Sequence, residues 1–176
     1  PLYILIGILI IIFDHTNPIF KQIRTGKNGK EFKIYKFKTM KDNKVTKLGK
    51  LLRTISMDEI PQFFNVIKGD MSLVGPRPWI TDYYERFNDE QKRRVSVRPG
   101  IVGLAQINGR NNINVIKKIE YDLKYVDNIS FLEDLKIFIK CFKSIICKDD
   151  FNKGEENIKK ELIMLENKNK LKIKKK

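Results

Sequence analysis

Histidine, cysteine and acidic residues are scarce in this chain, and each shortage excludes a class of chemistry. The only histidine is His15. With a single histidine, neither a histidine-based metal site nor a Ser-His-Asp triad is expected. Cys141 and Cys147 are the only cysteines. They are too few for a disulfide framework and match no metal-ligand spacing. Both fall in an apolar helical pattern, which reads as buried thiols. Acids number 21 against 36 Lys and Arg, a formal net charge of +15. Such a surplus calls for an anionic partner: nucleic acid, anionic lipid or a phosphorylated substrate. An AT-rich genome, which encodes many Lys, Ile and Asn, accounts for part of it. There is no initiator Met, so the chain is read as part of a longer protein. No apolar run is of bilayer length. Residues 2–13, LYILIGILIIIF, would reach about 18 Å as a helix, against a hydrocarbon core of about 30 Å. The run is read as the second half of a membrane-associated helix, with a buried core helix as the alternative. A basic n-region and a small-residue cleavage site are missing, which argues against a signal peptide. There are no internal repeats.

What is present suits one globular domain. The chain has 176 residues, 41% hydrophobic and 32% charged, enough to bury a core. Residues 19–23 and 32–37 are strand-like and flank TGKNGKE, so a hairpin is expected. Leu48, Leu51, Leu52 and Ile55 repeat at helical spacing and predict an amphipathic helix. Two irregular stretches follow, residues 56–78 and RPGIVGLAQINGR at 98–110. Phe131, Leu132, Leu135, Phe138, Ile139, Phe142, Ile145 and Ile146 form a long stripe, with Lys136, Lys140 and Lys143 on other faces. It is read as a core-packing helix, with a membrane-surface helix as the alternative. From Lys159 the chain is lysine-rich and reads as a frayed helix or disordered tail. The expected fold is α/β, mostly helical with a small β-sheet. Its expected parts are a membrane-associated segment at 1–14, a catalytic domain at 15–150 and a tail at 151–176.

Two adjacent acids, Asp58 and Glu59, lie in SMDEIPQ. Ser56 and Glu59 fit the capping box S-x-x-E, in which they would simply start a helix. Pro61 would then fall inside that helix, where it removes a hydrogen bond and clashes. If Pro61 instead takes the first helical position, both acids stand at the helix mouth and are kept ionised by its dipole. Basic residues surround the pair in sequence: Lys36 and Lys38 in YKFKTM, Arg53, Arg77 in GPRP, Arg98 before Pro99-Gly100, and Arg110 after Asn108-Gly109. A guanidinium fixed by a Pro- or Gly-rich loop suits bidentate phosphate binding. Two acids and several fixed cations suit phosphoryl chemistry. An Asp carboxylate is ionised at pH 7 and can attack phosphorus to form an acyl phosphate, while a nearby Glu can hold Mg²⁺.

The stretches NPIFKQIRTGKNGKEFKIYKFKTM, LGKLLRTISMDEIPQFFNVIKGDMSLVGPRP, VRPGIVGLAQINGRN and EYDLKYVDNISFLEDLKIF occur in this order over residues 17–138. Together they resemble the monotopic phosphoglycosyl transferases, the bacterial sugar transferases that act on polyprenyl phosphate. The resemblance is greatest to small members of the kind that begins a bacterial N-linked glycan. It implies that Asp58 is a nucleophile that takes a phospho-sugar from a UDP-sugar and releases UMP. Undecaprenyl phosphate would then accept the phospho-sugar. Glu59, with Asp58, would hold Mg²⁺. Lys36, Arg53, Arg77, Arg98 and Arg110 would contact phosphate or nucleotide, and Asp134 would take a polar role near the site. Residues 1–14 would be the second half of a re-entrant helix bent at a proline, where Pro1 stands. The implied location is the cytoplasmic face of the bacterial inner membrane. Membrane lipids and downstream glycosyltransferases are the implied partners, and nucleic acid is not. The rival expectation is a basic binding module without catalysis, for nucleic acid or a membrane surface, with Tyr35, Phe37 and the lysines as a strand platform.

Overall fold

A computed structural model describes residues 1–109, 113–146 and 156–173, with the backbone alone for 142–146, 156–157 and 170–173. Helix α1, Leu2–Asp14, opens it. Ile6 and Ile10 bury one side of α1 against Phe37 and Leu52, with Tyr3, Leu48, Met57 and Ile60 packed around them. The opposite side leaves Ile4, Leu5, Ile8, Ile11, Ile12 and Phe13 exposed. Such an apolar outer face is unusual for a helix in water. No helix of the described residues is long and apolar enough to cross a membrane.

Strands β1 (Ile19–Thr25) and β2 (Glu31–Phe37) pair antiparallel, Ile19 opposite Phe37 and Thr25 opposite Glu31. The expected hairpin is therefore present, two residues longer on β1. Phe37 is buried in the core and Tyr35 is half-buried, so Phe37 is not available to the aromatic platform that nucleic-acid stacking would use. A second, tight hairpin, β3 (Met40–Lys41) and β4 (Lys44–Val45), turns at Asp42 and Asn43, both with positive φ. Asn and Asp tolerate that conformation best among residues with a Cβ. It leads into α2, Lys47–Thr54, whose N-cap Thr46 accepts from the Gly49 amide. The Thr46 hydroxyl donates to the buried Asp14 carboxylate at 2.8 Å, tying the end of α1 to the start of α2. In α2 Gly49 and Leu52 are buried, while Leu51 and, just after the helix, Ile55 stay exposed.

Ser56 follows in the left-handed region and its side chain caps nothing. Residues Met57–Glu59 form a single 3₁₀ turn, and α3, Gln62–Ile67, begins directly after Pro61. The capping box does not form, and both acids stand just before the helix. Strand β5, Ser72–Val74, then pairs in parallel with β6, Gly100–Val102. This ladder joins the two irregular stretches. Their backbones touch: a Cβ on Gly100 would fall 2.1 Å from the Gly75 nitrogen, and one on Gly103 2.4 Å from the Gly75 oxygen. Only glycine permits that approach.

Short helices α4 (Thr81–Glu85), α5 (Asp89–Lys92) and α6 (Leu104–Ile107) and longer α7 (Val115–Asp127) follow, α4 against β1 and α6 and α7 on the ladder side. Helix α8, Phe131–Ile146, overturns the core reading of its stripe. Phe131, Leu132, Leu135, Phe138 and Ile139 are exposed, and Ile137 and Cys141 are the buried ones. The apolar pattern is broad enough to offer several faces, and the ladder selects the one bearing Ile137 and Cys141. The side chains of Phe142, Lys143, Ile145 and Ile146, and all of Cys147, lie outside the described residues. The lysine-rich end, expected as a frayed helix or a disordered tail, is a helix over the described residues, and it is docked rather than frayed. Helix α9, Glu156–Ile173, docks on the domain. Leu165 is fully buried with Tyr83, Phe87, Val115 and Ile119, and Glu161 accepts from the Tyr83 hydroxyl and from Lys118. The sequence hid this because Leu165, with Ile158 and Leu162 partly buried beside it and polar contacts from Glu161, Glu166 and Asn169, carries the docking from among many lysines. The fold is thus mostly helical, with three two-stranded ladders among the described residues.

Candidate active site

The 3₁₀ turn brings Glu59 beneath the β-hairpin and beside the GPRP loop. Lys36, on β2, donates from Nζ to Glu59 Oε1 at 2.7 Å. Arg77 grips the same carboxylate with both arms, Nη2 to Oε1 at 2.5 Å and Nη1 to Oε2 at 3.3 Å. Lys36 and Glu59 are about one-fifth exposed, at 19% and 18%, so the pair is well shielded from water. Arg77 is fixed from three sides. Prolines flank it, the Gly100 amide donates to the Pro76 carbonyl at 3.0 Å, and Arg94 Nη2 donates to Arg77's own carbonyl at 2.8 Å.

The neighbouring Asp58 is placed differently. It makes no hydrogen bond or ion pair among the described residues. Burial and the Glu59 charge push its carboxyl above the usual carboxylate range, partly opposed by Lys36, Arg77 and Arg53. Burial would raise Glu59 too, but the Arg77 and Lys36 charges and hydrogen bonds outweigh it and hold Glu59 well below that range. Burial, then Arg77, lowers the Lys36 ammonium, against the pull of Glu59. Two adjacent carboxyls are thereby given opposite tendencies. One is locked ionised in an ion-pair network, and the other has no partner among the described residues. This separation is how paired acids acquire different roles.

The other expected residues divide into three sets. Arg53 donates from Nε to the Thr39 hydroxyl at 2.8 Å and lies near enough to Asp58 to stabilise its charge. Asp134 does not touch the acid pair. It accepts from the Tyr125 hydroxyl at 2.8 Å, and Tyr125 in turn reaches the Val74 carbonyl at the base of the GPRP loop. Arg98 has an exposed side chain with no hydrogen bond or ion pair among the described residues. What RPG contributes instead is backbone, through Gly100. Arg110 lies outside the described residues.

Two features were not expected. Arg94 and Asp122 form a buried ion pair, at 1% and 2% side-chain exposure, joined by Nε at 2.9 Å and Nη2 at 2.6 Å to one carboxylate oxygen. The Arg94 guanidinium lies 4.1 Å from the Trp79 ring centre. Nothing in local sequence distinguishes Arg94 from its neighbour Arg93, which is exposed and pairs with Glu90 and Asp127. The second is Arg24 on β1, close enough for its charge to be felt by Arg77 and Glu59. The hairpin register would have found it, since Arg24 and Lys36 fall on one face.

The described residues hold no group of three or more His, Cys, Asp or Glu placed to bind a metal. Mg²⁺, however, is commonly held by one or two carboxylates plus substrate phosphates and water. Glu59 Oε1 already accepts two donors, whereas Oε2 accepts one, at 3.3 Å. Each carboxylate oxygen has two lone-pair sites. Oε2 and both Asp58 oxygens therefore have capacity left, and the donor set fits such an ion.

A family model for bacterial sugar transferases matches residues 1–148. The chain belongs to that family. This transferase is 45% identical over 159 residues to an uncharacterized sugar transferase, EpsL, of Bacillus subtilis, covering 83% of the chain and 79% of EpsL. It is 43% identical over 156 residues to a UDP-glucose:undecaprenyl-phosphate glucose-1-phosphate transferase of Klebsiella pneumoniae, covering 76% of the chain and 34% of that protein. It is 34% identical over 160 residues to an undecaprenyl-phosphate galactose phosphotransferase of Salmonella typhimurium, covering 74% and 34%. The chain thus spans about a third of the length of the latter two relatives.

Proposed function

We propose that this sugar transferase moves a sugar-1-phosphate from a UDP-sugar to undecaprenyl phosphate through a covalent intermediate on Asp58. The observation that carries the reading is the unpartnered Asp58 carboxylate beside a locked Glu59 and the cations Lys36, Arg53 and Arg77. An Asp58 oxygen attacks the β-phosphorus of the donor. The new P–O bond forms as the bridging bond to the α-phosphate breaks, and UMP leaves with that electron pair. The lipid phosphate oxygen then attacks the same phosphorus, breaks the acyl-phosphate bond and restores the carboxylate. Arg53 and Lys36 offset the charge on the transferring phosphoryl group, as fixed cations do in phosphoryl transfer. Arg77 orients Glu59. Arg98 and Arg110 remain in the proposal as contacts to phosphate or nucleotide. Asp134 supports the GPRP loop through Tyr125. Asp58 and Glu59, the latter through Oε2, are the residues that would hold Mg²⁺, which when bound neutralises the diphosphate.

The proposed setting is the cytoplasmic face of the bacterial inner membrane. The support is apolar surface next to the acid pair: the outer face of α1, Leu51 and Ile55 before the pair, and Phe63, Phe64 and Ile67 after it, all exposed. Tyr3 of α1 packs edge-on against Phe64, at 5.3 Å between ring centres. Acid pair and apolar rim therefore lie together, where a lipid-borne phosphate would arrive. Downstream glycosyltransferases would consume the lipid diphosphate product.

The test is the intact mass of the protein after incubation with UDP-sugars and no lipid. The native enzyme gains a phospho-sugar with its matching donor, and Asp58→Asn gains nothing and does not turn over. An adduct on Asp58→Asn, or normal turnover by it, refutes the assignment.

A further inference from the structure

Arg24 has no part in the reading above, yet its surroundings are those of a ligand-binding group. On β1 and β2, Phe20 pairs with Lys36, Gln22 with Ile34 and Arg24 with Phe32. Directly paired residues and residues two apart share one face of a ladder. Arg24 and Lys36 therefore project from the same face, the one on which Ile34 is buried. The next residue, Thr25, donates its amide to the Trp79 carbonyl at 2.9 Å. That bond fixes the end of β1 to the segment carrying Arg77. Arg24 thus stands four residues along β1 from Phe20, the partner of Lys36, at the end of the strand held to the Arg77 segment.

Its guanidinium is under-satisfied there. Nη2 donates to the Gln22 side chain at 2.5 Å, while Nε is buried and has no acceptor in the protein. The nearest carboxylate, Glu59, is already committed to Lys36 and Arg77. Burial and the Arg77 charge together bring Arg24 down to about 10, against smaller opposing effects from Tyr83 and Glu59. Lys36 and Arg77 occupy the Glu59 carboxylate, and Arg24, which feels that charge, has only Gln22 as a partner. A surplus of half-buried cations, one with a buried and unused N–H, is complementary to a multiply charged oxyanion, and a guanidinium suits phosphate in particular.

We propose that Arg24 is a donor-binding residue that gives its Nε–H to a phosphate oxygen of the nucleoside diphosphate. This rests on the transferase reading and extends it by a contact from β1. The role is binding of the donor in the ground state, since the contact is to phosphate and not to Asp58. It should therefore appear in KM more than in kcat.

The experiment compares the purified full protein with Arg24→Gln and Arg24→Lys. It measures thermal stabilisation and Kd with UDP and with uridine, together with KM and kcat for the matching UDP-sugar. UDP stabilises the native protein. Arg24→Gln weakens UDP at least about tenfold and raises KM similarly, with little change in kcat and no change toward uridine. Arg24→Lys keeps the charge but lacks Nε–H, and recovers part of the loss. Equal UDP affinity in native protein and a folded Arg24→Gln overturns the proposal. If Arg24→Gln does not fold, Arg24→Lys decides: native-like affinity for UDP in that variant overturns it. If native protein binds neither UDP nor a UDP-sugar, the transferase reading fails, and the Arg24 contact with it.

Discussion

Replacing Arg77 by Lys tests the core of the site because it removes one bond while keeping the charge. Arg77 holds Glu59 by two N–H groups, at 2.5 and 3.3 Å. A Lys ammonium is a point donor and cannot span both oxygens. The longer contact is lost and the shorter one is recovered only if the chain reaches. A hydrogen bond to a charged group contributes about 1.5–3 kcal/mol. The 3.3 Å bond belongs at the lower end of that range, so about 1.5 kcal/mol of orientation is lost. That corresponds to a fall of at least about tenfold in kcat/KM, read as UMP release from a UDP-sugar with undecaprenyl phosphate. Stability should change less, because Lys36 still pairs with Glu59 and the charge balance is kept. A melting shift of a few degrees is about what 1 kcal/mol produces in a chain of this size. Near-native kcat/KM in Arg77→Lys would refute the argument that the fork orients Glu59. Arg77 would then act as charge alone.

The acid pair predicts a pH dependence. Asp58 must be ionised to attack, and burial and Glu59 raise it above the ordinary carboxylate value. Activity should fall with acidity through that raised value while Glu59, held low, stays charged; an acid limb retained in Arg53→Gln at the native position would separate Asp58 from its proposed cation. The linked stability has a definite sign. A raised folded value favours the protonated form, so Asp58's contribution is full below its unfolded value, about 3.9, and is lost as pH rises through the folded one. Asp58→Asn should therefore melt higher than native protein at pH 7 and no higher at pH 3, and a lower melting point at pH 7 would contradict the electrostatic account. Chelation with excess EDTA should abolish turnover and Mg²⁺ should restore it, whereas full turnover in EDTA would remove the metal role of Glu59. Gly100→Ala should destabilise by at least about 2 kcal/mol, since its Cβ would meet backbone at 2.1 Å; urea unfolding measures it, and a native midpoint would mean the two backbones can part.

Local signals carried the elements that local physics decides. Alternating apolar residues around a Gly-containing turn specified the hairpin, and Pro61 marked the start of α3. Arg77 was legible because prolines fix it on both sides. The β5–β6 ladder was not legible, since each strand has three residues and lies beside prolines and glycines that locally argue against strands. The burial of α8 was misread because a helix with apolar residues on several faces does not say which face the protein takes. The grip of Lys36 and Arg77 on Glu59 needs three separate segments brought together, and the motifs named the residues without giving their partners. Arg98 and Arg77 look alike in sequence, each beside proline, yet one is exposed and the other occupied. Only tertiary context distinguishes them.

The apolar rim on either side of the acid pair changes what concentration means for this protein. Leu51, Ile55, Phe63, Phe64 and Ile67 are exposed around Asp58 and Glu59. An enzyme resting on such a rim would meet its acceptor by lateral diffusion in a two-dimensional sheet. Saturation would then follow the mole fraction of acceptor among the lipids, and diluting the suspension with buffer would leave the rate per enzyme unchanged. Diluting the acceptor with inert lipid would lower it. A short-chain acceptor dissolved in water would forgo that confinement and need a far higher bulk concentration to reach the same occupancy.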